Sequence, residues 1–163
     1  MKKRLLNYLG TSFLLSVCFS VNAQETSGTC GTNASWSYEG TTLTISGTGA
    51  MADYDYGEAP WIDDYAETMT SLVIEEGITS IGNNAFAGCE KLNSVSYPST
   101  GFTSIGDYAF YNCTSLTGLT WNARECWSNG DMYTYNLDEL TIGDQVEVLP
   151  SGLARGSAIT ALD

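Results

Sequence analysis

The chain has no histidine in 163 residues, only three prolines, and six Lys and Arg against 19 Asp and Glu. Each scarcity closes off a class of function. Without histidine there is no Ser-His-Asp or Cys-His activation of a nucleophile and no histidine-containing zinc site. A formal charge of −13 repels nucleic acid and anionic membranes, so neither is an expected partner. With 43% hydrophobic residues and so little proline, the chain carries enough apolar material for a packed core. A phosphate-cradling glycine loop is also missing, because Gly47-Thr48-Gly49 has no following lysine and reads as a turn.

The one long apolar run lies at the start. Met1-Lys2-Lys3-Arg4 is basic, residues 5–21 are largely apolar, and Val21-Asn22-Ala23 places small residues where a signal peptidase cuts. Asn7, Gly10, Thr11 and Ser12 interrupt the run and leave it too short to span a bilayer. Residues 1–23 are therefore read as an export signal. A lipid anchor on Cys18 is the weaker alternative, since Val17 is larger than the small residue usual before such a cysteine. Cleavage after Ala23 leaves 140 residues with Lys91, Arg124 and Arg155 as cations, a formal charge of −16.

What the chain has in abundance is itself. The text SIGNNAFAGCEKL at residues 80–92 returns as SIGDYAFYNCTSL at residues 104–116. Ser, Ile, Gly, Ala, Phe, Cys and Leu recur in place while the positions between them vary. A weaker template extends both ways: Met69, Leu72, Ile74; Leu92, Val95, Tyr97; Leu116, Leu119, Trp121; Leu137, Leu140, Ile142; and finally Ile159 and Leu162. Successive units are 23, 24, 21 and 22 residues apart. Such spacing marks one supersecondary unit that cannot bury its apolar side alone and stacks on copies of itself. In the last unit Leu149, Leu153, Gly156 and Ile159 are expected to take the interior places of Ile105, Phe110, Cys113 and Leu116.

Each unit reads as a short strand such as 94–97, a turn, a second extended piece at Ile81 or Ile105, and a short helical turn through Ala-Phe-x-x-Cys. Residues 24–68 form an opening module. Within it, two strands meet at Glu39-Gly40, Leu43 and Ile45 alternate with polar residues, and Pro60 marks a turn or helix start. This module is expected to cap the first coil. Residues 69–163 are the repeats, interrupted by an irregular coil at 122–136. The chain stops one residue after Leu162, which predicts a cut or truncated product able to self-associate through that end.

The repeated SIGxxAFxxCxxL resembles the BspA-type leucine-rich repeats of bacterial surface proteins, and residues 30–51 followed by Pro60-Trp61 resemble the segment that often precedes them. The resemblance implies a right-handed repeat solenoid of parallel strands with a β-rich cap. It also implies an exported or surface-displayed protein that binds host matrix proteins or other cells. It fixes fold better than partner.

Exposed aromatic residues make efficient contacts, which points to Trp127, Tyr133 and Tyr135 with Arg124 in the irregular coil, and then to Tyr54 and Tyr56 in the acidic cap. Trp61 is expected to cover the cap, and Trp36, Tyr97 and Trp121 are expected to pack inward. Acid pairs Asp53/Asp55, Asp63/Asp64 and Glu75/Glu76 were considered for glycoside chemistry, and neighbouring acids are more often a solvated face. Asp53-Tyr54-Asp55-Tyr56-Gly57 fails the calcium-loop pattern at its fifth and twelfth positions. The glycosylation triplets at Asn33 and Asn112 are discounted, the second because it falls in the repeat core. Cys89 and Cys113 share a rung and are expected as buried thiols, with Cys30 and Cys126 unassigned. The resulting expectation is a non-enzymatic binding protein for an extracellular protein, without cofactor or metal. A carbohydrate-binding module and a polysaccharide-active enzyme are the alternatives.

Overall fold

The structure is a computed structural model that describes residues 24–124, 137–144 and 146–149, together with the backbone of 161–162. Eleven strands and one helical turn follow in order: β1 (Ser27–Thr29), β2 (Ala34–Glu39), β3 (Thr42–Gly47), β4 (Gly49–Ala50), α1 (Ile62–Tyr65), β5 (Ser71–Ile74), β6 (Ile78–Ile81), β7 (Ser94–Ser96), β8 (Ser104–Ile105), β9 (Gly118–Trp121), β10 (Glu139–Ile142) and β11 (Ala161–Leu162).

The repeat anchors become the ladder. In β3 and β5, Leu43 pairs with Leu72 and Ile45 with Ile74, both in parallel register. Val95 of β7 continues from Leu72. Leu140 of β10 is flanked by Leu119 of β9 and Leu162 of β11. Because strands alternate faces, this register sends Leu43, Ile45, Leu72 and Ile74 inward together, and all four are buried. The second extended piece forms its own parallel sheet, β4-β6-β8, pairing Ile81 with Ile105.

The main sheet is divided. One part runs β1-β2-β3-β5-β7 and the other β11-β10-β9, with β7 and β9 adjacent but not joined by a ladder. β7 ends at Ser96, and Pro98, two residues on, has no N–H to give a neighbouring strand.

The N-terminal hairpin is the first layer of the stack as well as its lid. β1 and β2 run antiparallel, and β2 is antiparallel to β3, which is already in parallel register with the first repeat strand. The turn at Gly40 has φ +63°, a conformation glycine adopts without strain. Trp36 meets Trp61 edge-on at 6.0 Å and Tyr65 at 6.1 Å, while Tyr38 stacks on Tyr65 at 3.9 Å. These rings close the end of the core, which accounts for the complete burial of Trp61.

Two expectations need correction. The Ala-Phe-x-x-Cys stretch is not helical. It is a series of tight turns in which Ala87 N–H bonds Asn84 O, Cys89 N–H bonds Phe86 O and Leu92 N–H bonds Cys89 O. The chain is tightened there because Asn84, Gly88, Tyr108 and Asn112 all take left-handed φ, from +53° to +85°, which an α-helix cannot continue. Leu149 does not match the interior Ile81 and Ile105 but is 49% exposed. No strand forms at residues 146–149, so no ladder turns Leu149 inward. Leu153, Gly156 and Ile159 lie outside the described residues.

Candidate functional site

Cys89 and Cys113 are free, buried and stacked between layers, with the Cys113 thiol donating to Phe86 O at 3.2 Å. Cys30 is likewise free and buried. Burial pushes the Cys30 thiol up to about 11 and the Cys89 thiol to about 12, and Cys113 rises well above its ordinary 9.0 for the same reason. They are packing residues, not nucleophiles. Cys126 is outside the described residues.

Two of the acidic candidates, Asp53 and Glu76, serve structure. Asp53 Oδ1 accepts the Asn83 N–H at 2.8 Å, and Asn83 Oδ1 accepts the Asp107 N–H at 2.7 Å. This column of Asx side chains steps from coil to coil beside Gly82, where an added Cβ would run into Ala52 O. Asp53 thus spends an oxygen on a backbone amide of the next coil. Glu76 reaches the following turn, accepting from Ser99 N–H at 2.7 Å, Ser99 Oγ–H at 2.6 Å and Thr100 Oγ1–H at 3.3 Å. Those donors hold its carboxyl below the usual 4.5, the direction opposite to that a general acid needs. Among the described residues, no group of three or more His, Cys, Asp or Glu converges as a metal site.

The aromatic candidates part company. Tyr54 turns in, edge-on to Trp61 at 5.7 Å and half-buried, with its hydroxyl pushed up to about 12 mainly by burial. Tyr56 turns out, 58% exposed, and meets Tyr111 edge-on at 6.0 Å. Tyr111 in turn meets Tyr108 at 6.0 Å. Neither Tyr108 nor Tyr111 stood out in the sequence, because both sit at variable places of the repeat text. Arg124 is exposed, and its Nε and Nη2 both donate to Glu147 Oε1, at 3.0 and 2.8 Å. Such an open pair contributes about 1 kcal/mol at most. Trp127, Tyr133 and Tyr135 lie outside the described residues.

The outward strand positions are mostly small and uncharged, with Val73 of β5 the larger apolar exception. Ser94, Ser96, Gly118 and Glu139 are exposed, and Thr120 and Thr141 half-buried. Inside, Trp61, Phe86 and Phe110 form a continuous stack, and Leu92 and Leu116 occupy matching buried places.

Parallel strands in repeat register, a stacked Phe column and a sealed first layer define a leucine-rich-repeat protein. The sequence matches the BspA type leucine rich repeat region over residues 64–162, in six copies, and the chain belongs to that family. Two solved structures share the fold. A leucine-rich repeat protein from Eubacterium ventriosum is 23% identical with a TM-score of 0.54; the similarity covers 85% of this chain and 38% of that one. The T. pallidum leucine rich repeat protein is 18% identical with a TM-score of 0.55, over 80% of this chain and 68% of that one. This chain therefore corresponds to well under half of the E. ventriosum protein. No curated protein matches it by sequence. Among the described residues no helix is long and apolar enough to cross a membrane.

Proposed function

We propose that the chain is an exported, non-enzymatic binding protein that recognises an extracellular protein through the outer surface of its repeat stack. The observation that carries this reading is the division of labour along each strand. Large apolar residues point inward in register, and the outward places carry Ser, Thr and Gly with Val73 and Glu139. Glu76, whose carboxyl Ser99 and Thr100 hold below its usual range, is unsuited to acid catalysis. The strand face has few anchors of its own, so the coil at 122–136 with Trp127, Tyr133 and Tyr135 is proposed as the principal contact. Parallel strands joined by crossovers wind right-handed almost without exception, and the same hand is proposed here. Residues 1–23 are proposed as the export signal, which an intact mass beginning at Gln24 would support and a lipid on Cys18 would refute.

Pull-down from an extracellular-matrix extract, alongside a glycan array, tests the reading. A protein ligand should be captured, and the Trp127→Ala/Tyr133→Ala/Tyr135→Ala variant should keep its melting temperature while losing most of its affinity. Capture of glycans alone would replace protein recognition with carbohydrate binding.

A further inference from the structure

The turn that follows β8 carries two tyrosines, and a third reaches them from the opening module. Tyr108 has φ +56° and occupies the place that Asn84, φ +53°, holds one coil earlier. Asn tolerates that left-handed backbone and tyrosine does so rarely, so the backbone alone would favour Asn. Tyr108 is nevertheless 37% exposed, with its ring set edge-on to Tyr111 at 89°. Tyr111 takes the place of the buried Ala87 and is itself half-buried. From the opening module, Tyr56 extends across the intervening coil and completes the cluster at 71° to Tyr111. Gly88 lies beneath it, where an added Cβ would meet the Tyr56 hydroxyl at 3.5 Å.

At Gly88 the cluster joins a hollow of about 530 Å³ lined by Ile62, Asp63, Ala66, Glu67, Glu90 and Lys91. Ile62 and Ala66 provide apolar floor, and three of the six are acids. Asp55 and Asp107 adjoin Tyr56 and Tyr108 in the chain, and Glu58 lies two residues after Tyr56. Lys91 is the one cation of the hollow.

We propose that Tyr56, Tyr108 and Tyr111, with the adjoining hollow, dock an extended lysine- or arginine-bearing segment of a partner protein. Charge complementarity commits the choice, since the chain carries −13 and the hollow sets Asp63, Glu67 and Glu90 against the single cation Lys91. The rings add what charge alone lacks. Guanidinium and ammonium groups are attracted to tyrosine faces, and their aliphatic stems can lie along Ile62 and Ala66. A sugar ring would instead need a flat aromatic platform, and rings at 71° and 89° do not make one. This inference rests on the chain being a protein-binding module, but it uses residues other than Trp127, Tyr133 and Tyr135.

The test uses the whole chain and a fluorescein-labelled ten-residue peptide with lysine or arginine at alternate positions. Its glutamate counterpart and a set of oligosaccharides serve as comparison probes. Tyr56→Ala and Tyr108→Asn leave the net charge unchanged, so a loss of affinity in either cannot be a loss of charge. Fluorescence anisotropy should show binding of the basic peptide only, weakened about tenfold or more in the Tyr56→Ala/Tyr108→Asn variant. The Trp127→Ala/Tyr133→Ala/Tyr135→Ala variant should bind this peptide normally, which separates the two surfaces even if the coil proves not to bind matrix protein. If the double variant fails to fold, Tyr108→Asn alone carries the test, because Asn84 already shows asparagine at home in that turn. Unchanged affinity in a folded tyrosine variant, no binding of the basic peptide, or an oligosaccharide bound in its place would each overturn the proposal.

Discussion

Trp61 and Phe86 stack with ring centroids 5.3 Å apart and planes 19° from parallel, and the Trp61 indole N–H donates to Ala85 O at 2.9 Å. A residue of the opening module therefore occupies the first place of the column that Phe86 and Phe110 continue. Trp61→Phe keeps a ring to stack but leaves the buried Ala85 carbonyl without that donor. It should cost about 1–3 kcal/mol, read as a lower urea midpoint. A midpoint equal to the parent's would show that the ring alone holds the first layer.

Phe110 is 1% exposed and stacks on Phe86 at 5.6 Å. Phe110→Asp places an uncompensated charge between layers and should abolish folding, at a cost of several kcal/mol. Thr103 faces solvent, its hydroxyl resting on Thr79 O at 2.9 Å. Thr103→Asp should melt within a few degrees of the parent by circular dichroism. Equal melting of the two variants would contradict the register.

The three buried thiols set an alkaline limit. Their folded-state values lie above the ordinary 9.0, about 11 for Cys30 and about 12 for Cys89. The unfolded chain therefore loses protons first as pH rises. Their contribution to stability is complete below pH 9 and should fade as pH climbs from 9 toward 11 and 12. Tyr54, raised from 10.0 to about 12, adds to the loss in the same sense. Thermal melts across this range should show the decline. Iodoacetamide at pH 8, followed by peptide mapping, should label Cys30, Cys89 and Cys113 only after denaturation and without reductant. Labelling that requires reductant would reveal a disulfide.

Glu76 sets a milder acid limit. Its carboxyl is held below 4.5 by the hydrogen bonds from Ser99 and Thr100. The support it lends the turn at residues 98–101 is present above that pH and lost as pH falls through its folded value. Glu76→Gln should flatten this part of the acid profile and speed amide exchange at Ser99. An acid profile and exchange rate identical to the parent's would mean the contact contributes nothing.

How far the sequence could be read follows from what repeats. Phe86 and Phe110, Cys89 and Cys113, Leu92 and Leu116 were legible because each layer must fit one cross-section, so interior places are constrained to similar residues. The opening hairpin was legible as two strands meeting at Glu39-Gly40 but not as a layer of the stack. Leu43 and Ile45 sit in register with Leu72 and Ile74 without sharing the surrounding repeat text. The Asx column was missed for a related reason: Asp53 lies 30 residues before Asn83, whereas Asp107 lies 24 after it. Tyr108 and Tyr111 escaped notice because they occupy places where the repeat text is free to vary. The expected helical turns failed because left-handed residues such as Tyr108 and Asn112 are not visible in a three-residue apolar spacing.

The missing ladder between β7 and β9 has a mechanical consequence. Elsewhere neighbouring strands share rows of backbone hydrogen bonds, which resist being pulled apart as a zip resists shear. At this joint the layers are held by buried side chains such as Leu116 and Leu119, with a backbone bond from Arg124 N–H to Phe102 O at 3.3 Å. A molecule tethered at one end and loaded at the other would yield first along this seam. It would part into a hairpin-capped leaf holding Trp61, Phe86 and Phe110 and a second leaf beginning at β9, and the first leaf would keep its tyrosines in place while the second gave way.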